Sequence, residues 1–168
     1  MEDLPMSAKL RDRLVEIQRS VRTRPLFTMR LETRLLAVGA TPTTTRRIGI
    51  VPGGTFEGER LSGRVLDGGS DWQSIRADGS TLLDVRLNLE TQDGALICMT
   101  YKGVRHGPRK VIQRLEAGEI VDPASYYFRI APMFETASET HGWLNGIVAV
   151  GIGHRFADGP IYNLFELL

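Results

Sequence analysis

Residues 72–102 read WQSIRADGSTLLDVRLNLETQDGALICMTYK, and their pattern sets the fold class. Leu83, Val85, Leu87 and Leu89 alternate with Asp84, Arg86, Asn88 and Glu90, which is the two-residue period of a strand with one apolar and one polar face. Asp78-Gly79 precedes this run and Asp93-Gly94 follows it, each flanked by further strand-like residues. Asp-Gly readily supplies the positive φ angles of a tight hairpin turn, so the three runs are expected to be antiparallel neighbours.

The same signals continue outward in both directions. From Leu26, Thr28, Arg30, Glu32 and Arg34 alternate with Phe27, Met29, Leu31 and Thr33, and a third Asp-Gly turn, Asp158-Gly159, lies near the C-terminal end. Strand-like runs are also expected near Arg46–Val51, Phe56–Leu66, Trp72–Ala77, Ala95–Lys102, Tyr126–Ile130, Phe134–Thr136, Trp143–Ile152 and Pro160–Leu167. About nine or ten antiparallel strands must hide their edges, and closure does so completely. The reading is all-β, mainly antiparallel, a closed or nearly closed β-barrel with two short helices; a β-sandwich is the alternative. Glycines in or beside the strands suit the bends and bulges of a tightly coiled sheet.

Before the barrel, Leu10, Leu14, Ile17 and Val21 recur at helical spacing, with Ser7 as N-cap and Pro25 as the stop. Residues 1–25 are thus expected to form an N-terminal amphipathic helical extension, and residues 26–168 the barrel domain. The second short helix is expected over Arg109–Ala117, between Pro108 and Gly118.

Composition narrows the partners. The chain of 168 residues carries a net charge of +1, so it offers no overall field to nucleic acid. Residues 1–47 hold ten basic and five acidic side chains against eleven and fifteen in the remainder, an asymmetry that solvated strand and helix faces explain. One cysteine, Cys98, rules out an intramolecular disulfide, and the acidic start MEDLPMSAKL does not read as a signal peptide. No apolar run approaches the roughly 20 residues of a membrane span. A cytoplasmic address is expected, with no membrane partner.

Several chemistries find no motif. Gly53–Gly58 lacks the Lys-Ser/Thr of a phosphate loop and precedes a strand rather than a helix. His106, His141 and His154 have no second ligand at metal spacing, so neither a metal nor another cofactor is expected. Ser70 and Ser80 are not in a nucleophile elbow, and Cys98, in an apolar hairpin strand, reads as a small buried thiol.

What remains is a set of charged and aromatic residues concentrated near turns, Tyr101 with Arg105 among them. Asp71, Glu135 and Tyr127 are candidates for moving a proton; Arg105, Arg129, Trp72, Trp143 and Asn145 are candidates for holding an oxygenated or aromatic acid, the arginines through paired hydrogen bonds. Asp84 and Arg86 join them if the polar face of the 83–91 strand lines a pocket; if it meets water, that face is ordinary surface. Structural roles compete at every position: a turn cap for Asp71, core anchors for the tryptophans, an ion pair for Arg129 and Glu135.

Arg47-Ile48-Gly49-Ile50-Val51-Pro52-Gly53-Gly54-Thr55, Gly63-Arg64-Val65-Leu66-Asp67-Gly68-Gly69-Ser70-Asp71-Trp72 and Arg76-Ala77-Asp78-Gly79 occur in succession. They are followed by Leu83-Asp84-Val85-Arg86, Thr91-Gln92-Asp93-Gly94-Ala95, Gly103-Val104-Arg105, Tyr127-Phe128-Arg129, Phe134-Glu135-Thr136 and Trp143-Leu144-Asn145. In this order and spacing the chain resembles the domain of unknown function 3237 family, the UPF 0311 proteins, over about residues 26–168. The resemblance implies a β-barrel and no particular activity.

Three functions fit these features. The first is a small-molecule-binding barrel acting as a cofactor-independent enzyme of proton transfer, an isomerase, hydratase or lyase for a small oxygenated or aromatic acid. The second is a carrier using the same mouth without chemistry. The third is a structural subunit of a homo-oligomer, a state compatible with either of the others.

Overall fold

A computed structural model describes residues 9–168. Nine strands run as β1 (Thr23–Ala40), β2 (Thr45–Glu57), β3 (Gly63–Val65), β4 (Gly69–Ile75), β5 (Thr81–Thr91), β6 (Leu96–His106), β7 (Tyr127–Glu135), β8 (Ala149–Phe156) and β9 (Gly159–Leu167). One α-helix, α1 (Arg109–Glu116), lies between β6 and β7. Every pairing is antiparallel. The order β1-β9-β8-β7-β6-β5-β4-β2 returns to β1, and short β3 also bridges β2 and β5, so hydrogen bonding closes the sheet on itself. The β-barrel expected from the sequence is the observed fold.

The three Asp-Gly turns join β4 to β5, β5 to β6 and β8 to β9. Two of them share one form. Gly79 N–H donates to Arg76 O at 3.0 Å and Arg76 N–H to Ser80 O at 2.9 Å, a pattern repeated by Gly94, Thr91 and Ala95. Positive φ falls on Gly79 and Gly94 alone, so the aspartates precede a left-handed glycine in three-residue loops.

Parity along the strands decides what fills the barrel. Leu83, Val85, Leu87 and Leu89 of β5, and Ile97, Met99 and Tyr101 of β6, point inward and are at most 5% exposed. Each such aliphatic side chain contributes about 1.5–3 kcal/mol by leaving water. The polar face of β5 is therefore outer surface: Asp84 pairs with Lys102 at 2.8 Å, and Arg86 and Asn88 are exposed. In β1 a register shift between Pro25 and Phe27 lets Leu26 and Phe27 both be buried before the alternation Phe27, Met29, Leu31 takes hold.

Some expected elements differ. The Tyr126–Ile130 and Phe134–Thr136 runs are one strand, β7, whereas Trp143 lies in a 3-10 turn over Gly142–Gly146 before β8 begins at Ala149. Over the described part of the N-terminal extension the chain makes 3-10 turns at Leu10–Arg13 and Glu16–Gln18 rather than one continuous α-helix, and Leu10, Leu14, Ile17 and Val21 are exposed. Ser7, its expected cap, lies outside the described residues. No apolar core face holds this stripe, and a short isolated helix is marginal without one. Among the described residues no helix is long and apolar enough to cross a membrane.

Candidate functional site

At the end of the barrel beside α1, apolar filling gives way to polar side chains. β4 turns Asp71 and Gln73 inward; β6 supplies Tyr101 and Arg105, β2 Arg47, β8 Arg155 and β9 Tyr162, all around one narrow cavity. About 30 Å³ is open there to the centres of water-sized molecules, room for roughly two waters or the tip of a ligand. Leu31, Leu83 and Phe128 form its apolar wall, and half-exposed Leu35 stands at the rim.

Asp71 is 8% exposed. Its Oδ2 accepts Gln73 Nε2–H at 2.5 Å, and its Oδ1 accepts the backbone N–H of Asp84 at 3.3 Å. That backbone donor is free for the purpose because the β4–β5 ladder is interrupted between the pairs Asp71–Val85 and Ser74–Leu82. Across the sheet Asp71 pairs with Gly49, where a Cβ would stand 3.3 Å from Asp71 Cβ. Glycine thus leaves the carboxylate its space. Burial pushes the Asp71 carboxyl up to about 6, although the Gln73 and Asp84 hydrogen bonds and the charges of Arg105 and Arg47 pull the other way.

Two phenols share this interior. Tyr101 and Tyr162 meet edge to face with ring centroids 5.6 Å apart, and Phe128 packs on Tyr162 at 5.3 Å. Burial, with the negative charge of Asp71 nearby, raises both phenols above the ordinary tyrosine range, so they remain neutral hydrogen-bond donors at physiological pH.

Toward the mouth the polar chain continues. Gln73 Oε1 accepts Arg47 Nε–H, and both Nη groups of Arg47 donate to the Glu116 carboxylate at the end of α1. Arg105 Nη2 donates to the same carboxylate. Arg105 is 4% exposed, and its Nε is the one buried side-chain nitrogen or oxygen without a partner among the described residues. Burial lowers the Arg105 pKa, and the neighbouring Arg47 and Arg155 charges add to this against the opposing pull of Glu116. Burial acts to raise Glu116, but its hydrogen bond with Arg47 and the charges of Arg105, Arg47 and Arg155 hold it below the ordinary glutamate value. Arg155 reaches the mouth and donates to the backbone oxygen of Phe156.

Of the ten candidates, Asp71 and Arg105 line this cavity. Trp72, Asp84, Tyr127 and Arg129 come together elsewhere, along a shallow groove on the outer wall. There Trp72 Nε1–H donates to Ser70 Oγ at 3.1 Å, and Arg129 lies 4.8 Å from the Tyr127 ring, which itself stacks on His106. Arg86 is exposed on the same wall. Glu135 ends β7 on the outside, next to Asn145, whose side chain is taken up by the backbone N–H and C=O of Thr136 at 2.8 and 2.9 Å. Trp143 sits under Arg60, 4.0 Å from its guanidinium carbon.

Arg47, Gln73, Arg155 and Tyr162 were absent from the candidate set, while Tyr101 stood beside Arg105 among the charged and aromatic residues near turns without a role. For Gln73 and Tyr101 a signal was available. Gln73 lies two residues from Asp71, and Tyr101 four from Arg105, so each shares an inward parity with a candidate already chosen. Among the described residues no group of three or more His, Cys, Asp and Glu side chains gathers as a metal site.

Comparison with known proteins extends the picture. A crystal structure of a conserved protein of unknown function from Rhodopseudomonas palustris superposes with a TM-score of 0.86 at 35% identity, covering 89% of this chain and 99% of that one. A β-barrel-like protein from Acinetobacter baumannii AYE gives 0.77 at 39% identity, covering 89% and 97%. The fold is also that of a structure described as an enzyme from Penicillium herquei, with a TM-score of 0.66 at 20% identity over 88% and 95% of the two chains. In sequence, a UPF0311 protein of Rhodopseudomonas palustris strain TIE-1 is 37% identical over 132 residues, 79% of this chain and 86% of the relative. The family model described as Protein of unknown function (DUF3237) matches residues 21–167, and the chain belongs to that family.

Proposed function

We propose that this barrel is a cofactor-independent enzyme that moves a proton on a small oxygenated acid, as an isomerase, hydratase or lyase. The observation that carries the reading is Asp71: a carboxylate pushed up to about 6 by burial, inside a cavity that also holds neutral phenols and buried guanidinium groups. Such a group is ionised at neutral pH yet basic enough to take a proton from carbon and return it. Two of its acceptor sites are used by Gln73 and Asp84, which fix its orientation, and the remaining lone pairs are available to a ligand.

In this reading Asp71 removes a proton from the carbon next to a carbonyl. Tyr101 and Tyr162 donate hydrogen bonds to the oxygen on which negative charge then develops. Arg105 balances that charge. Return of the proton to a neighbouring carbon completes an isomerisation; loss of a β-substituent completes a lyase step. The narrow cavity admits the reacting end of the substrate, while the rest lies at the mouth against Leu35 and Arg155. The enzyme from Penicillium herquei supplies an analogy at the level of fold and none at the level of reaction.

The test is solvent deuterium exchange. Purified protein in D2O is incubated with a panel of small 2-oxo and aryl-substituted acids, and loss of C–H signal is followed by proton NMR. Exchange with one of them, reduced at least about 100-fold in Asp71→Asn, is the expected result. Undiminished exchange in Asp71→Asn overturns the assignment, and tight binding without exchange in the wild type points to a carrier.

The outer wall supports a homo-oligomer as the assembled form. Trp72, Tyr127, Met133 and Ile152 are each about half exposed there, the kind of surface that a subunit contact covers. Mass measurement in solution is expected to give more than one chain, and a monomer at micromolar concentration would remove this part.

A further inference from the structure

Glu116 stands where a ligand carboxylate would be bound. It comes from α1, outside the strand wall, yet its two oxygens are gripped by Arg47 through both Nη groups and by Arg105 through Nη2. Paired donation from one guanidinium plus a third donor is the arrangement proteins use to recognise a free carboxylate. The grip is incomplete: buried Arg105 Nε has no acceptor, so the site offers one more charge-assisted donor than Glu116 satisfies. An unsatisfied buried donor is costly and rare in native structures, and a ligand acceptor would relieve it.

The guanidinium groups are buried, and Glu116 is partly exposed. The Arg105 and Arg47 side chains are 5% and 13% exposed, and Arg47 is also tied to Gln73; the Glu116 side chain is 37% exposed, on the last residue of the helix just before Gly118. Leu115, the neighbouring residue, is buried and anchors α1, so displacing Glu116 calls for movement of that one side chain and not of the helix.

We infer that Glu116 is an internal stand-in for the substrate's carboxylate, that the ligand is an organic carboxylate seated between Arg47 and Arg105, and that it binds by displacing Glu116. This names the ligand class of the cavity; it rests on the reading of that cavity as a ligand site and not on the proton transfer.

Propionate, the Glu116 side chain cut free, is the probe. It is titrated into the wild type, Glu116→Gln and Glu116→Ala, with affinity read by calorimetry and seating by the Arg105 Nε–H resonance wherever Arg105 is present, and with propionamide and inorganic phosphate as controls. Both variants are expected to bind propionate at least tenfold more tightly than the wild type, with propionamide and phosphate much weaker. Arg105→Lys in the Glu116→Gln background is expected to lose that gain. Equal or weaker propionate affinity in both Glu116 variants overturns the inference. So does a wild type whose Arg105 Nε–H resonance stays unmoved at saturating propionate, since a purely structural ion pair predicts propionate binding in the variants alone. Phosphate bound as well as propionate overturns the carboxylate assignment. Loss of deuterium exchange by Asp71→Asn is read separately, so either reading can fail while the other stands.

Discussion

Gln73 donates to Asp71 Oδ2 at 2.5 Å and accepts from Arg47, so one amide couples the buried carboxylate to the mouth of the barrel. It also restrains the carboxylate, because its hydrogen bond favours the ionised form against the effect of burial. Gln73→Met keeps the bulk and removes the donor. The Asp71 carboxyl is then expected to titrate above its present value of about 6, as followed by carbon-13 NMR of the side-chain carboxyl. A titration point that stays put or falls would show that Gln73 does not govern the ionisation.

Raising an acid's pKa on folding weakens the fold once the group ionises. Asp71 rises from an ordinary 3.8 to about 6, so the folded protein holds the proton more tightly than the unfolded chain does. The resulting destabilisation is absent below pH 3.8, grows between 3.8 and about 6, and is complete above that, reaching about 3 kcal/mol by linkage. Asp71→Asn does not titrate and should gain stability relative to the wild type across that window. Urea unfolding at pH 4 and pH 7.5 is expected to show the difference moving in favour of the variant by about 1–3 kcal/mol. No movement, or movement the other way, contradicts the buried carboxylate.

The barrel was legible because alternation and turn chemistry are local. Leu83 to Leu89 fix a strand face, and Asp78-Gly79 and Asp93-Gly94 fix its neighbours, with no need for distant contacts. The site was legible in part. Asp71 and Arg105 stood out as charges in strand-rich sequence, but which parity faces inward is settled by all nine strands together. Tyr127 and Arg129 were therefore as attractive as Tyr101 and Arg105, although the first pair faces out and the second in. Cys98 shows the same limit: it was expected to be buried, yet between inward Ile97 and Met99 it faces out and is exposed. The N-terminal stripe had helical spacing, but spacing alone does not supply the surface on which a helix must pack.

The ligand role proposed for Arg105 does not require it to hold the fold. Replacing a buried ion pair by apolar side chains is often neutral or stabilising, and removing one partner alone is costly because it leaves the other charge buried and uncompensated. Glu116 keeps Arg47. Arg105→Met is thus expected to leave stability within about 1 kcal/mol of the wild type or to raise it, while the Asp71 titration moves upward because a nearby positive charge is gone. Chemical unfolding and carboxyl titration measure the two effects. A loss of more than about 3 kcal/mol would make Arg105 a structural pillar, against a ligand role.

Closure of the barrel around the site depends on Gly153 of β8. A Cβ built there falls 2.6 Å from Phe128 Cδ1 and 2.8 Å from two further atoms of the same ring. Phe128 is 2% exposed, lines the cavity and packs on Tyr162, so the ring has little room to retreat. Gly153→Ala therefore forces either β8 outward or Phe128 onto Tyr162. Overpacking of this kind costs about 1–3 kcal/mol. The variant is expected to unfold at lower urea concentration by that amount, and its Tyr162 ring resonances should shift because Phe128 is the wall between the mutation and the phenol. Wild-type stability together with unshifted Tyr162 signals would mean that the strand yields freely at this point, and that the narrow cavity is not held to its size by β8.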